Sequence, residues 1–205
     1  MNYGSVVIGA HTGEFLKEKL ASYINKKNIL IEPVFYNLEQ LKKNFSSFKD
    51  TQYLDCAISN ADEVKSFYYI KQESVSKLGK HWASGIGSFS KDHILSHKTK
   101  RFQVSNEDIE TKKIKFLSFK TFQKRFSIKS IEFLHIDAEG AEFNIMNDIN
   151  FATIFIKKIF FEKKHFDGPF LADKKLDRIK KILKKNSYIL SDVDSENILA
   201  EKKIA

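Results

Sequence analysis

The chain has 205 residues, 42% of them hydrophobic and 30% charged. That balance suits one folded α/β domain, is short for two, and excludes a disordered chain. The formal net charge of +9 favours anionic ligands by general steering, but no nucleic-acid motif accompanies it, and a solvated lysine-rich surface is the plainer reading. Cys56 is the single cysteine and lies in the apolar run LDCAI, so it reads as a small buried hydrophobe rather than a nucleophile or half of a disulfide. No run approaches the roughly 18 apolar residues of a membrane helix, and no basic start leads into a long apolar stretch. No membrane span is expected, and cytoplasm is the default location.

In chain order, residues 5–8 form an apolar strand that ends at Gly9. Residues 12–26 read as a helix, with Leu16, Leu20, Tyr23 and Ile24 on one face. A second strand, 29–31, stops at Glu32-Pro33. Asn37 and Gln40 then have the N-cap and N3 spacing of a helix start, with Leu38, Leu41, Phe45 and Phe48 as the apolar face. The third strand is placed at 53–58, a further strand at 64–70, and a loop or lid at 73–100, where WASGIGSFSKDH is rich in turn residues. A short strand at 114–117 and a helix at 119–126 follow. Residues 131–136 and 154–161 are apolar enough for central parallel strands. An amphipathic helix at 173–185 precedes a terminal hairpin of 188–190 and 198–200. The strand–helix alternation predicts an α/β fold with a mostly parallel sheet and helices on both faces, as a single domain over 1–205.

Four constellations carry chemistry. Gly9-Ala10-His11-Thr12-Gly13 joins the first strand to its helix, where glycines and unpaired amides admit a ligand close to the backbone. Glu32, nineteen residues after Gly13, ends the second strand and is placed to accept hydrogen bonds from ribose hydroxyls. The loop is G-x-x-x-G rather than G-x-G-x-x-G, so a phosphate-free ligand with an amino-acid end and an adenosine end fits better than a dinucleotide. The segment HIDAEGAE closes the fourth strand with Asp137, Glu139 and Glu142 around a glycine turn. There Asp137 is placed to orient an acceptor hydroxyl, act as base or hold a metal, and His135 reads slightly better as a core residue than as a catalyst. The fifth strand ends in FFEKKH, which makes His165 a second candidate base. His11, His81, His93 and His97 show no zinc-type spacing, so no metal is expected.

The order VVIGAHTGEF, LIEPVFYNLEQLKKN, LDCAISN, FLHIDAEGAEFNIMND, IFFEKKH and SENILAEKK resembles the FkbM family of methyltransferases, from about residue 5 to residue 203. The most specific element is IDAEGAE, similar to the family's I-D-x-E-G-x-E signature. The resemblance implies a seven-stranded Rossmann-like three-layer sandwich of order 3-2-1-4-5-7-6 with strand seven antiparallel. It also implies S-adenosylmethionine as cofactor and a hydroxyl acceptor on a sugar, glycan or small metabolite. Gly9, Ala10, His11 and Gly13 then fall at the methionine end and Glu32 at the ribose. The stretch from Asp55 to Asn60 falls near adenine, with Asp55 and Ala57 foremost. Asp137, Glu139 and His165 are the catalytic candidates. The sequence departs from the family's D-x-G-A-N at Val7 and His11, which puts cofactor anchoring in question. Two rivals stand beside this reading. One is an RNA methyltransferase that uses the basic helix with Lys174, Lys175, Arg178, Lys180, Lys181, Lys184 and Lys185. The other is a non-catalytic cofactor-binding homologue.

Overall fold

The computed structural model describes residues 1–99, 102–168 and 171–203. Lys100, the last residue of the expected loop, and Ile204 and Ala205, the end of the expected domain, lie outside them. The chain opens with β1 (Asn2–Ile8), three short helical turns that include α1 (Lys17–Leu20), β2 (Asn28–Ile31), α2 (Phe35–Asn44) and β3 (Thr51–Leu54). It continues through β4 (Ala57–Ser59), β5 (Glu63–Ile70), α3 (Gln72–Leu78), a 3-10 turn (His81–Gly85), α4 (Lys91–Ser96) and β6 (Ile109–Ser118). The rest is α5 (Phe119–Arg125), β7 (Ser130–Ile136), α6 (Glu142–Asp148), β8 (Phe155–Glu162), α7 (Lys174–Lys185), β9 (Tyr188–Asp192) and β10 (Asn197–Lys202).

Seven strands form one sheet of order β3-β2-β1-β7-β8-β10-β9. The pairs from β3 to β8 are parallel, and β10 runs antiparallel to β8 and β9. Renumbered along this sheet alone, the order is 3-2-1-4-5-7-6 with the seventh strand antiparallel, as expected. Period-two alternation makes both faces apolar. Val6, Ile8, Ile29, Ile31, Leu134, Ile136, Ile159 and Phe161 fill one side with α5, α6 and α7, while Val7, Leu30, Phe133 and Phe160 fill the other with α2 and the turns around Leu16 and Leu20.

Between β3 and β7 the chain leaves this sheet to build a second one, β4-β6-β5. Four expectations are corrected in this part of the chain and the one before it. The strand read at 53–58 is two strands, broken at Asp55-Cys56, with β3 in the large sheet and β4 in the small one. The region read as a loop at 73–100 carries α3, the 3-10 turn and α4, packed through Leu78, Ala83, Ile86 and Ile94 against Ile70, Phe102 and Val104. Its glycines and serines hid a core made by contacts distant in sequence. Asn37 is not an N-cap but sits inside α2, buried, and its side-chain amide donates to the Ser84 carbonyl at 2.7 Å. The helix read at 12–26 is also broken into short turns at Glu14–Leu16, Lys17–Leu20 and Ala21–Tyr23.

The lysines of α7 stand on the face opposite Leu176, Ile179 and Leu183, which are buried. A helix of this kind is an ordinary surface helix with a solvated charged side. Among the described residues no helix is long and apolar enough to cross a membrane.

Candidate active site

A cavity of about 320 Å³ opens at the carboxyl ends of β1, β2 and β7. The sheet order reverses between β1 and β7, so this is the crevice where open α/β sheets take their ligands. Gly9, Ala10, His11, Gly13, Glu32, Ala57, Asp137 and Glu139 line it, as do Trp82, Gly85, Gly87 and Phe89 from the second sheet's insertion. Its size is at the small end of the usual range for ligand pockets. Asp55 and His165 are not in its lining. Asp55 is exposed and belongs to a separate surface hollow beside Arg125, and Cys56 takes its place on the cavity wall.

The two glycines serve packing. Gly9 has φ +82° and its Cβ position lies 1.6 Å from the carbonyl oxygen of Asp137, so a side chain there would drive β1 off β7. Gly13 has φ +75° and a Cβ would meet Phe45 at 2.4 Å. Val7, which stands where the resemblance implies an acid, is fully buried in β1 and contributes to the core.

Two buried carboxylates shape the loops. Glu32 accepts from the His11 amide (2.9 Å) and the Val34 amide (2.9 Å), one on each oxygen. Glu142 does the same for the turn after β7, accepting from Ala138 (2.6 Å) and Gly140 (2.9 Å). Burial pushes Glu32 up to about 7 against the pull of those amides, and burial also raises Glu142 to about 7. The Asn37 side chain also hydrogen-bonds the Glu32 carboxylate, so of the roughly four acceptor positions of an ionised carboxylate about one remains for a donor from the cavity. The loops that Glu32 and Glu142 hold each carry one strained residue: His11 and Glu139 have φ +49° and +48°, the left-handed region that side chains avoid, and both line the cavity. His11 Nε2 also meets Ser84 Oγ at 2.6 Å, tying the first loop to the insertion.

At the other end of the cavity Asp137 is exposed to its interior. Its depth in the molecule and then the charge of Glu139 raise its carboxyl above the ordinary range. His135, two residues back on the same face, is paired in register between Val7 and Phe160 and packs against Phe160 at 4.9 Å. Burial, followed by the nearby Lys19 charge, holds it neutral and lowers it to about 3. Its Nδ1 is buried with no hydrogen-bond partner although the residue lines the cavity. Sequence reasoning also missed Lys19, which lies 4.0 Å over the Phe160 ring and lines the cavity; its place on a broken helix gave no signal.

Behind Glu139 lies a group that the spacing argument rejected. His93 and His97, one turn apart on and just after α4, meet Glu139 and His165. His93 Nε2 is 3.1 Å from Glu139 Oε2, His165 Nε2 is 3.6 Å from it and His97 Nε2 is 3.9 Å from it. The two Nε2 atoms of His93 and His97 are 3.2 Å apart. The lack of zinc-type spacing among these histidines did not reveal this grouping, because their partners come from two remote segments. Burial lowers His165 to about 4 and also lowers His97.

The chain matches the model of the methyltransferase FkbM domain over residues 8–190 and belongs to that family. Among solved structures it is similar to the precorrin-6y C5,15-methyltransferase of Geobacter metallireducens GS-15, at 9% identity over 98% of this chain and 80% of that one, with a TM-score of 0.47. It is also similar to Aeropyrum pernix fibrillarin in complex with S-adenosyl-L-methionine, at 8% identity over 97% of this chain and 66% of that one, TM-score 0.46. The methyltransferase domain of bacterial CtHen1 gives 10% identity over 97% and 90%, TM-score 0.44. No curated protein matches its sequence.

Proposed function

We propose that the protein transfers a methyl group from S-adenosylmethionine to an oxygen of a small-molecule or glycan acceptor. The observation that carries this reading is the convergence of Gly9, Glu32 and Asp137 on one cavity. The residues present fit the cofactor: Glu32 keeps about one acceptor position for a ribose hydroxyl, the cavity is large enough for a nucleoside ligand, and His135, whose buried Nδ1 has no hydrogen-bond partner, belongs to the same lining.

When bound, S-adenosylmethionine supplies a methyl group on an already activated sulfonium, so the protein aligns the reactants, excludes water and removes one proton. Glu32 would hold the nucleoside end through its remaining acceptor position while its occupied ones fix the His11 loop. Asp137 faces the cavity and is the group suited to take the acceptor's hydroxyl proton as the new carbon–oxygen bond forms. Glu139 is engaged by His93, and His165 points at Glu139 rather than into the cavity, so both are placed to position the turn instead of acting as base. Trp82 and Phe89 close the acceptor side with apolar surface.

The test is incubation with isotopically labelled S-adenosylmethionine and a panel of sugars and hydroxylated metabolites, with products located by mass spectrometry and NMR. A labelled methyl ether is the expected product. Methylation of nitrogen or carbon, or failure to bind the cofactor at all, would overturn the reading. The RNA alternative expects salt-sensitive RNA binding that weakens when the α7 lysines are neutralised.

A further inference from the structure

We propose that His93, His97, Glu139 and His165 form a four-coordinate site for a divalent ion of the zinc class, which fastens the α4 insertion to the large sheet. The ligand set is three imidazoles and one carboxylate, a combination that suits zinc, cobalt or nickel and disfavours magnesium and calcium. Metal–ligand bonds of about 2.0–2.1 Å in a tetrahedron separate neighbouring ligand atoms by about 3.3 Å. The observed separations of 3.1, 3.2, 3.6 and 3.9 Å bracket that value. All four ligand atoms lie within 4.8 Å of one another. The three histidines present the same nitrogen, Nε2, toward the same carboxylate oxygen, which is convergence on a point rather than a chain of contacts.

The surroundings support a fixed site. His93 and His165 are buried, and Glu139 is held in its left-handed conformation by a turn that Glu142 braces through two amides. Glu162 Oε2 lies 4.0 Å from His165 Nε2 and adds a second carboxylate beside the ligand atoms. The ligands come from three places: α4 and the residue after it in the insertion, the turn after β7, and the turn after β8. An ion there would join the second sheet's insertion to the cofactor sheet and take Glu139 out of proton transfer. Four protein ligands complete a tetrahedron, which marks a structural rather than a catalytic ion. This assignment does not depend on what is methylated, or on whether anything is.

The experiment uses the whole protein stripped with a strong chelator and dialysed against Zn²⁺ or Co²⁺. The expected result is one equivalent of zinc retained per chain by elemental analysis and, with cobalt, the intense visible bands of a tetrahedral ion. His97→Ala and Glu139→Gln should lose the stoichiometric metal and the cobalt spectrum. Cys56→Ser, which removes the single thiol, should keep them. His97→Gln is a second variant should the alanine variant fail to fold, as circular dichroism would show. A stripped wild-type protein that takes up no stoichiometric zinc would show that these residues are only a hydrogen-bonded cluster and overturn the proposal. Retention by both His97→Gln and Glu139→Gln would overturn it as well. Cofactor binding measured on the same samples keeps the outcome separate from that of the methyl-transfer reading.

Discussion

The wall of the cavity built from β1, β2 and their loops takes its shape from residues close in sequence, whereas the wall built from the insertion and the turns after β7 and β8 is assembled from remote ones. On the first wall Gly9, His11 and Glu32 are joined by local hydrogen bonds and by strand register. On the second, Trp82 and Glu139 share the lining although they are remote in sequence, and His93 and His165 gather behind Glu139 from two further segments. The difference teaches that one fold can hold a recurrent ligand in a contiguous motif while leaving acceptor recognition to a segment free to change.

Substitutions on each wall should separate the two roles. The largest effect is expected from Asp137→Asn, which should lower kcat by about 10²- to 10⁴-fold with cofactor affinity changed little; full turnover would remove it as base. Gly9→Ala should destabilise the fold by about 4 kcal/mol or more, because its Cβ has no room against the Asp137 carbonyl, and chemical denaturation would measure the loss. Glu32→Ala should weaken S-adenosylhomocysteine binding by about ten- to a hundredfold in calorimetry, the loss of about one hydrogen bond to a charged group. Trp82→Ala on the opposite wall should raise the acceptor KM by about tenfold and leave cofactor affinity near wild type.

A pH series sharpens the same contrast. Folded Glu32 keeps its proton up to about 7, against an ordinary value of 4.5, so its burial costs stability as pH rises through that window. A ligand that donates to the ionised form should bind more tightly as pH rises through about 7. Its neighbours Tyr36 and His11 frame the same group, the phenol being held far above neutrality. Glu32→Gln should flatten the dependence; an unchanged slope would assign it to another group.

Legibility followed the same division. Individual strands could be read because apolar runs such as 131–136 and the terminal hairpin carry strong local patterns, whereas the seven-strand order came from the family resemblance. Glu32 and the Gly9 loop could be read because their chemistry is tied to strand ends. The strands at 64–70 and 114–117 could be read too, but not that they form a separate sheet: Asp55-Cys56 carries no turn signal strong enough to show that one apolar run is two strands. The packing of Ile86 and Ile94 also lies hidden among glycines and serines. The histidine cluster was invisible for a related reason, since only His93 and His97 share a helix and their ligand partners stand about 42 and 68 residues beyond His97 along the chain.

A crystal structure with S-adenosylhomocysteine bound tests the central claim most directly. The account predicts a ribose hydroxyl within hydrogen-bond reach of Glu32 and the sulfur turned toward Asp137 in the single cavity between β1 and β7. A nucleoside bound elsewhere on the chain, with Glu32 touching only its protein partners, would contradict it.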